Sequence, residues 1–413
     1  MPQRDFDLLV WGATGYTGRL VAQYLATAPS AAGVRWAIGG RDRAKLEQVR
    51  AELAAEVEGL ADLPLVVGDA NDDESLDDVA SRTRVVCTTV GPYARYGSGL
   101  VAACVRNRTH YCDLTGEVPW IRQMIDWHHE TARADGTRIV HCCGFDSIPS
   151  DLGVLMMHDA MQARGRTLGR VDAYFGESKG GASGGTVASM LDIADAVRRD
   201  PATRRLLADP YALDPVPGTG GPDARDRMGV HYEPRLGRWT APFVMAAINT
   251  RVVRRSNAVA GHPYGRNFRY TERLSLPSGI KGLAAAAAVT GGIGGFMAAT
   301  QVPPLRRLIE RRLPKPGEGP TPELRAAGYF VLRLLADSGD EGPPVRLLGR
   351  VEDRRDPGYG STAVMLSESA LCLAKDDLHS EGGVLTPASA MGLPLLDRLR
   401  EAGMTWNVSE RTD

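Results

Sequence analysis

The chain has 413 residues, 43% of them hydrophobic and 24% charged, with 49 Lys and Arg set against 50 Asp and Glu. That balance describes a soluble globular protein of two domains and removes any global electrostatic pull toward nucleic acid or an acidic membrane. The six cysteines, Cys87, Cys104, Cys112, Cys142, Cys143 and Cys372, form no C-x-x-C pair and no Cys/His cluster with zinc spacing, so no metal site is expected. Thiols of this kind fill core positions in a reducing cytoplasm, and the polar residues 1–5 leave no room for a signal peptide before the first apolar run.

That run, residues 6–11, reads as a buried strand, and a helical pattern resumes by residue 19. Between them Gly12, Gly15 and Gly18 fall in G-x-x-G-x-x-G order, the arrangement that brings a strand, a tight turn and a helix N-terminus to a dinucleotide pyrophosphate. Gly12, Thr14, Gly15, Tyr16, Thr17 and Gly18 are the candidate cradle. A second strand over 34–40 ends about twenty residues beyond the glycines. A carboxylate at that strand end would bond a ribose 2′-hydroxyl; the chain instead offers Gly39, Gly40 and Arg41. A guanidinium there pairs with a 2′-phosphate, so the reading is NADPH rather than NADH. Asp42 reads as the N-cap of the helix that follows.

A third strand over 63–70 leaves Asp69 at its exit, near an adenine or as a helix cap. A fourth over 84–90 is broken by Gly91 and Pro92, at the carboxyl edge where open α/β sheets bind ligands. Tyr93 and Tyr96 follow, to flank a nicotinamide or to anchor the loop. A helix over 99–105, a strand from His110 ending in Asp113, Thr115 and Glu117, a helix over 120–134 and a strand over 138–140 complete the alternation. The first domain, residues 1–150, is therefore a Rossmann-type doubly wound parallel α/β sheet.

Gly12-Ala13-Thr14-Gly15-Tyr16-Thr17-Gly18, Gly39-Gly40-Arg41, Val90-Gly91-Pro92-Tyr93, Tyr111-Cys112-Asp113-Leu114-Thr115-Gly116-Glu117 and Cys143-Gly144-Phe145-Asp146-Ser147-Ile148-Pro149-Ser150-Asp151 occur in that order. Together they resemble the saccharopine dehydrogenase-like superfamily, and within it the trans-acting enoyl reductase group of mycobacteria and relatives. Asp356-Pro357-Gly358-Tyr359-Gly360-Ser361-Thr362 and the stretch from Gly383 to Gly392 look like the same group. The resemblance implies that the glycine-rich loop at 180–186 lies near a substrate cleft. It also implies that a C-terminal segment, 381–413, packs back on the dinucleotide domain.

Residues 151–380 read as a second α+β domain with a mixed sheet. Helical spacing resumes over 187–197, and prolines, glycines and charges over 209–238 suggest a long mobile loop or lid. Residues 282–305 carry no charge, and half of them are Ala or Gly. Glycines at 291, 292, 294 and 295 favour a buried small-residue helix or a glycine-rich loop over a membrane span. The basic residues from Arg306 to Arg312 make peripheral membrane or lipid contact through 282–312 the competing reading.

No Tyr-x-x-x-Lys pair or H-E-x-x-H helix occurs. Hydride transfer remains, with orientation supplied by the protein. By the resemblance, the substrate is an acyl or polyketide chain on an acyl carrier protein or polyketide synthase, saturated in lipid biosynthesis. Tyr111, Tyr93 and Asp146 are the candidate proton donors, while Asp113 and Glu117 brace Thr115-Gly116. Two other readings stay open. One is a saccharopine-type amino-acid or amine reductase, with Arg251, Arg254 and Arg255 gripping carboxylates. The other is a non-catalytic NADPH-binding, lipid-associated protein. A homo-oligomer is compatible with each.

Overall fold

The computed structural model describes residues 4–180, 191, 195–216, 218, 220–224, 226–300, 302–312 and 319–411. The chain forms two compact units. The first comprises Met1–Ile148, Pro316–Gly319 and Gly358–Gly403; the second comprises Pro149–Lys315, Pro320–Pro357 and Met404–Asp413.

The first unit is built on strands β1 (Phe6–Trp11), β2 (Trp36–Gly40), β3 (Leu65–Val67), β4 (Thr83–Thr88), β5 (His110–Cys112) and β6 (Arg138–Val140), joined late in the chain by β13 (Gly383–Leu385). Their order is β13-β6-β5-β4-β1-β2-β3, and every pairing is parallel. Parallel strands are covered on both faces, and β1 and β4 are each buried at five of their six residues. The order reverses at β1, whose neighbours are β4 and β2, so the crevice for a ligand opens at the carboxyl ends of β1 and β4.

Helix Tyr16–Thr27 turns Gly18, Val21, Ala22 and Leu25 inward at helical spacing. Helix Thr362–Lys375 is buried at every residue from Thr362 to Ala374 and packs on the Tyr16–Thr27 helix and on β4, β5 and β1. Its Glu368 lies in this interior because it is fully partnered: Tyr24 Oη donates at 2.7 Å, Ser30 Oγ at 2.5 Å and Arg398 at 3.2 Å. Leu366 and Leu371 are wholly buried, and truncating either to Ala costs about 2–5 kcal/mol.

The second unit holds a mixed sheet of β7 (Leu168–Lys179), β8 (His231–Glu233), β9 (Arg238–Pro242), β10 (Arg269–Leu276), β11 (Tyr329–Ser338), β12 (Arg346–Asp353) and β14 (Thr405–Glu410). The order is β14-β12-β11-β7-β10-β9-β8; β7 and β10 run parallel and the other neighbours antiparallel. The expected α/β-plus-mixed-sheet class holds.

The first boundary falls at Ile148, beside the one expected at 150, and the later one differs from that expected at 381. The return to the first unit begins at Gly358, because the Thr362–Lys375 helix covers the parallel sheet. β14, expected to pack on the first domain, pairs with β12 instead.

The loop expected at 180–186 is described only at Gly180, and residues 181–190 of the loop and following helix lie outside the described residues. The loop over 209–238 is not a free lid where it is described. Tyr211, Ala212, Leu213 and Asp214 are buried, and residues 231–233 with 238–242 form an antiparallel pair.

Residues 279–300 form a continuous helix, Gly279–Thr300. The buried-helix reading fails there: only 11% of its most apolar stretch is buried. By length and composition it is the one helix among the described residues that is apolar enough to cross a membrane.

Candidate active site

Gly12 ends β1 with φ of +91°, a left-handed conformation that side chains disfavour, and its N–H donates to Gly39 O at 2.9 Å. A Cβ on Gly18 would stand 2.2 Å from Gly12 O, so only glycine lets the helix close on the strand. The Tyr16–Thr27 helix follows Gly15, has no side-chain cap and carries no acidic residue in its first turn. Its first-turn N–H groups have no helical carbonyl to bond, and the positive end of the dipole faces the β1/β4 crevice uncontested. That geometry fits a pyrophosphate. Thr14, Tyr16 and Thr17 are half-buried around the turn, and Tyr16 meets Tyr359 edge-on at 4.7 Å.

Arg41, one residue beyond β2, is exposed and makes no ion pair or hydrogen bond to any described residue. Asp42 beside it is engaged as the N-cap of helix Arg43–Glu56, accepting from Lys45 N at 3.1 Å. The pair is therefore divided: one side chain starts the helix and the other is available to a 2′-phosphate. Asp69 is exposed after β3 and accepts from Asn71 N at 2.9 Å; the helix cap is Asp72, which accepts from Glu74 N. Gly91 and Pro92 lie past β4 on the same carboxyl edge, Gly91 exposed and Pro92 half-buried.

The two tyrosines expected as proton donors are interior groups. Tyr93 is buried, stacks on Trp120 at 5.5 Å, and donates its hydroxyl to Thr88 O at 3.3 Å. Its backbone N–H and that of Ala94 are held by the two oxygens of Glu117, at 2.9 and 2.8 Å. Glu117 thus braces the loop after β4. Tyr111 is fully buried and donates to Asp113 Oδ2 at 2.9 Å. Burial raises both phenols well above the ordinary tyrosine range, which makes them poor acids at neutral pH. A hydroxyl that enters the core must find a partner there, and these did. Tyr96, 40% exposed, is the tyrosine that faces outward.

Asp113 organises the strand exits. Besides Tyr111 it accepts from His141 Nδ1 at 2.7 Å, Thr115 N at 3.1 Å and Cys142 N at 3.2 Å. The last bond holds Cys142 at φ of +66°, a conformation that costs a non-glycine residue about 1–3 kcal/mol. His141 was given no role in the sequence reading, because its contact with Asp113 is made only when β5 and β6 pair.

Asp146 differs from the tyrosines. It follows β6 on the same edge of the sheet, its side chain is half-buried, and it makes no hydrogen bond to any described residue. Burial raises its carboxyl from 3.8 to about 6, so it holds a proton under mildly acidic conditions. Three strand spacings separate β6 from β1, roughly 14 Å along the edge.

In the second unit, Arg251, Arg254 and Arg255 are all buried on helix Ala246–Val259. Arg251 donates to Asp209 O and Leu207 O, Arg254 to Asp223 at 2.8 Å and to Pro210 O, and Arg255 to Leu213 O. They pin the 207–223 segment and are not presented to a polycarboxylate. Among the described residues no three His, Cys, Asp or Glu side chains cluster to hold a metal.

A glycine-cradled helix N-terminus at the switch point, with an unengaged arginine at the second strand's exit, fits a phosphorylated dinucleotide, and the class of protein is an NADP-dependent oxidoreductase. Comparison with known proteins agrees: residues 8–140 match the saccharopine dehydrogenase NADP-binding domain. A Mycobacterium tuberculosis protein whose name assigns it provisionally to the trans-acting enoyl reductases is 43% identical over 416 residues, covering 97% of each chain. A Mycobacterium leprae protein named trans-acting enoyl reductase is 41% identical over 417 residues, again covering 97% of each. The structure of saccharopine dehydrogenase (L-Glu forming) from Saccharomyces cerevisiae shares the fold, with TM-score 0.53 over 98% of this chain and 99% of that one at 12% identity. The chain belongs to the trans-acting enoyl reductase family of saccharopine dehydrogenase-like proteins.

Proposed function

We propose that this chain is an NADPH-dependent enoyl reductase that saturates a carbon–carbon double bond of an acyl or polyketide chain during lipid biosynthesis. The observation that carries the reading is near-full-length identity to relatives bearing that name. Acting in trans, it would meet its substrate on an acyl carrier protein or polyketide synthase. The six cysteines, all buried and none in a disulfide, support a cytoplasmic site of action.

Bound NADPH supplies the hydride. In this reading the residues divide as follows. Helix N–H groups after Gly15 hold the pyrophosphate, Arg41 pairs with the 2′-phosphate, and Asp69, Gly91 and Pro92 line the adenine and nicotinamide ends. Hydride addition at the β carbon leaves enolate charge toward the thioester and requires a proton at the α carbon. Asp146 is the group poised to give that proton: burial weakens it as an acid and keeps it protonated closer to neutrality than an ordinary aspartate. The amine-reductase alternative loses its main support, since the three arginines that would receive a polycarboxylate are engaged with the protein's own chain.

The test is NADPH consumption by purified protein with 2-enoyl chains on coenzyme A and on acyl carrier protein, with product mass as the readout. Two added hydrogens on the chain are expected, and Asp146→Asn should abolish turnover while NADPH still binds. NADPH binding without turnover on correctly loaded carriers would overturn the reading in favour of a coenzyme-binding protein.

A further inference from the structure

Helix Gly279–Thr300 contradicts the usual pattern of a surface helix, which turns an apolar stripe inward and a charged face outward. Its inward seam is Gly282, Ala286, Val289, Ile293, Phe296 and Thr300, spaced four and three residues apart and the less exposed side of the helix. The opposite face, through Ile280, Leu283, Ala284, Ala287 and Ala298, is exposed and carries no charged side chain. Ile280 is 86% exposed and Met297 on its flank 55%. Cβ atoms added at Gly291, Gly292, Gly294 and Gly295 would meet nothing within 4 Å. A helix apolar all round is ordinarily buried, and no described residue of its own unit covers the outer face of this one.

Charge says what does. Residues 279–312 contain five basic side chains and one acidic, within a chain of net charge −1. Lys281 is exposed in the first turn of the helix and Arg307 on the helix that follows it, Pro303–Arg312; neither pairs with a described residue, while Arg306 fixes that following helix to Asp195 at 2.7 Å. A second copy of the chain laid on this face antiparallel would bring Lys281 against Arg307; laid parallel, it would bring Arg307 against Arg307. Both are repulsive. A carrier protein would find no hydrogen-bonding side chain along the outer face. An anionic lipid surface satisfies both terms, since it accepts an apolar face and attracts basic residues at its rim.

We propose that the outer face of helix Gly279–Thr300, with the basic residues at its two ends, docks the protein onto an anionic lipid bilayer. The helix lies in the plane of the interface and does not cross the bilayer, because its inward seam is packed on its own unit: a Cβ on Gly282 would stand 3.2 Å from Trp239 of β9. About 33 Å of helix is presented in this way. The inference does not depend on the enoyl reductase reading.

The experiment is flotation of the purified full-length protein with vesicles of phosphatidylcholine alone or mixed with phosphatidylglycerol. Binding to the mixed vesicles only is expected, weakening as salt is raised. Leu283→Glu should reduce it by about tenfold or more, and Lys281→Glu with Arg307→Glu by a similar factor. NADPH binding retained in each variant shows that the fold is intact. The proposal is overturned if NADPH-binding wild type does not float with the mixed vesicles, or if both variants float undiminished. It is also overturned if Leu283→Glu converts a dimer to a monomer, which assigns the face to a second copy, or if it abolishes lipid-independent capture by acyl carrier protein.

Discussion

Asp146→Asn should act on stability and on turnover in opposite directions, and the size of the first effect follows from the site. Burial raises the carboxyl from 3.8 to about 6, so ionising it in the folded state costs about 3 kcal/mol. Because the folded value lies above the unfolded one, the favourable contribution is complete below about pH 4 and lost as pH rises through about 6. Asparagine never ionises, so the variant escapes that loss, although its unpartnered amide takes back about 1 kcal/mol. The variant should be more stable than the wild type by about 2 kcal/mol at neutral pH, and no more stable at pH 4 and below. Urea unfolding at both pH values reads this directly. In the wild type, kcat should fall as pH rises through about 6, and in the variant kcat should drop by about 100-fold or more. A stability difference that does not change with pH would refute the burial argument. A variant of unchanged kcat would remove Asp146 as proton donor while leaving the thermodynamics standing.

Arg41→Glu replaces an unengaged guanidinium with a repelling carboxylate, and NADPH affinity should fall by about tenfold to 100-fold while NADH affinity is spared. A fluorescence titration that finds NADPH affinity unchanged removes the 2′-phosphate assignment. Gly18→Ala sets a methyl 2.2 Å from a backbone carbonyl that cannot yield. The helix must lift off β1, at a cost of about 1–3 kcal/mol, and NADPH binding should disappear in the same titration. Tyr93→Phe deletes only a hydroxyl bonded inside the fold. Thermal unfolding should show a loss of about 1 kcal/mol with kcat unchanged, and a loss of turnover by orders of magnitude would return Tyr93 to the chemistry.

The coenzyme cradle was legible in the sequence because each of its requirements is local. A glycine that must take positive φ, a helix that starts four residues after it and a glycine in that helix that must carry no Cβ all lie within one short stretch. The position of Arg41, just past β2, was legible for the same reason. The tyrosines were misread because a sequence places a residue at a strand exit but does not say which way its hydroxyl turns. That is decided by Thr88 and Asp113, and Asp113 is itself fixed by His141 of another strand. The three arginines of Ala246–Val259 were misread similarly, since their partners are backbone carbonyls about 40 residues away. Residues 279–300 show a different limit. Their composition suited burial, and only the structure shows that the apolar side opposite the seam has no neighbour among the described residues.

The helix that covers β1, β4 and β5 comes from residues 362–375, more than two hundred residues after the last of those strands. During synthesis the parallel sheet must therefore wait for its cover. At about 5–20 residues per second, the interval between completion of residue 148 and arrival of residue 403 is roughly ten to fifty seconds. Throughout it, the apolar face that will receive residues 362–374 has no partner from its own unit, and β6 lacks the edge strand that β13 will supply. A chain cut near residue 150 would keep the whole family-matched segment and remain permanently in that unfinished state, with a bare sheet face suited to aggregation rather than to holding a coenzyme.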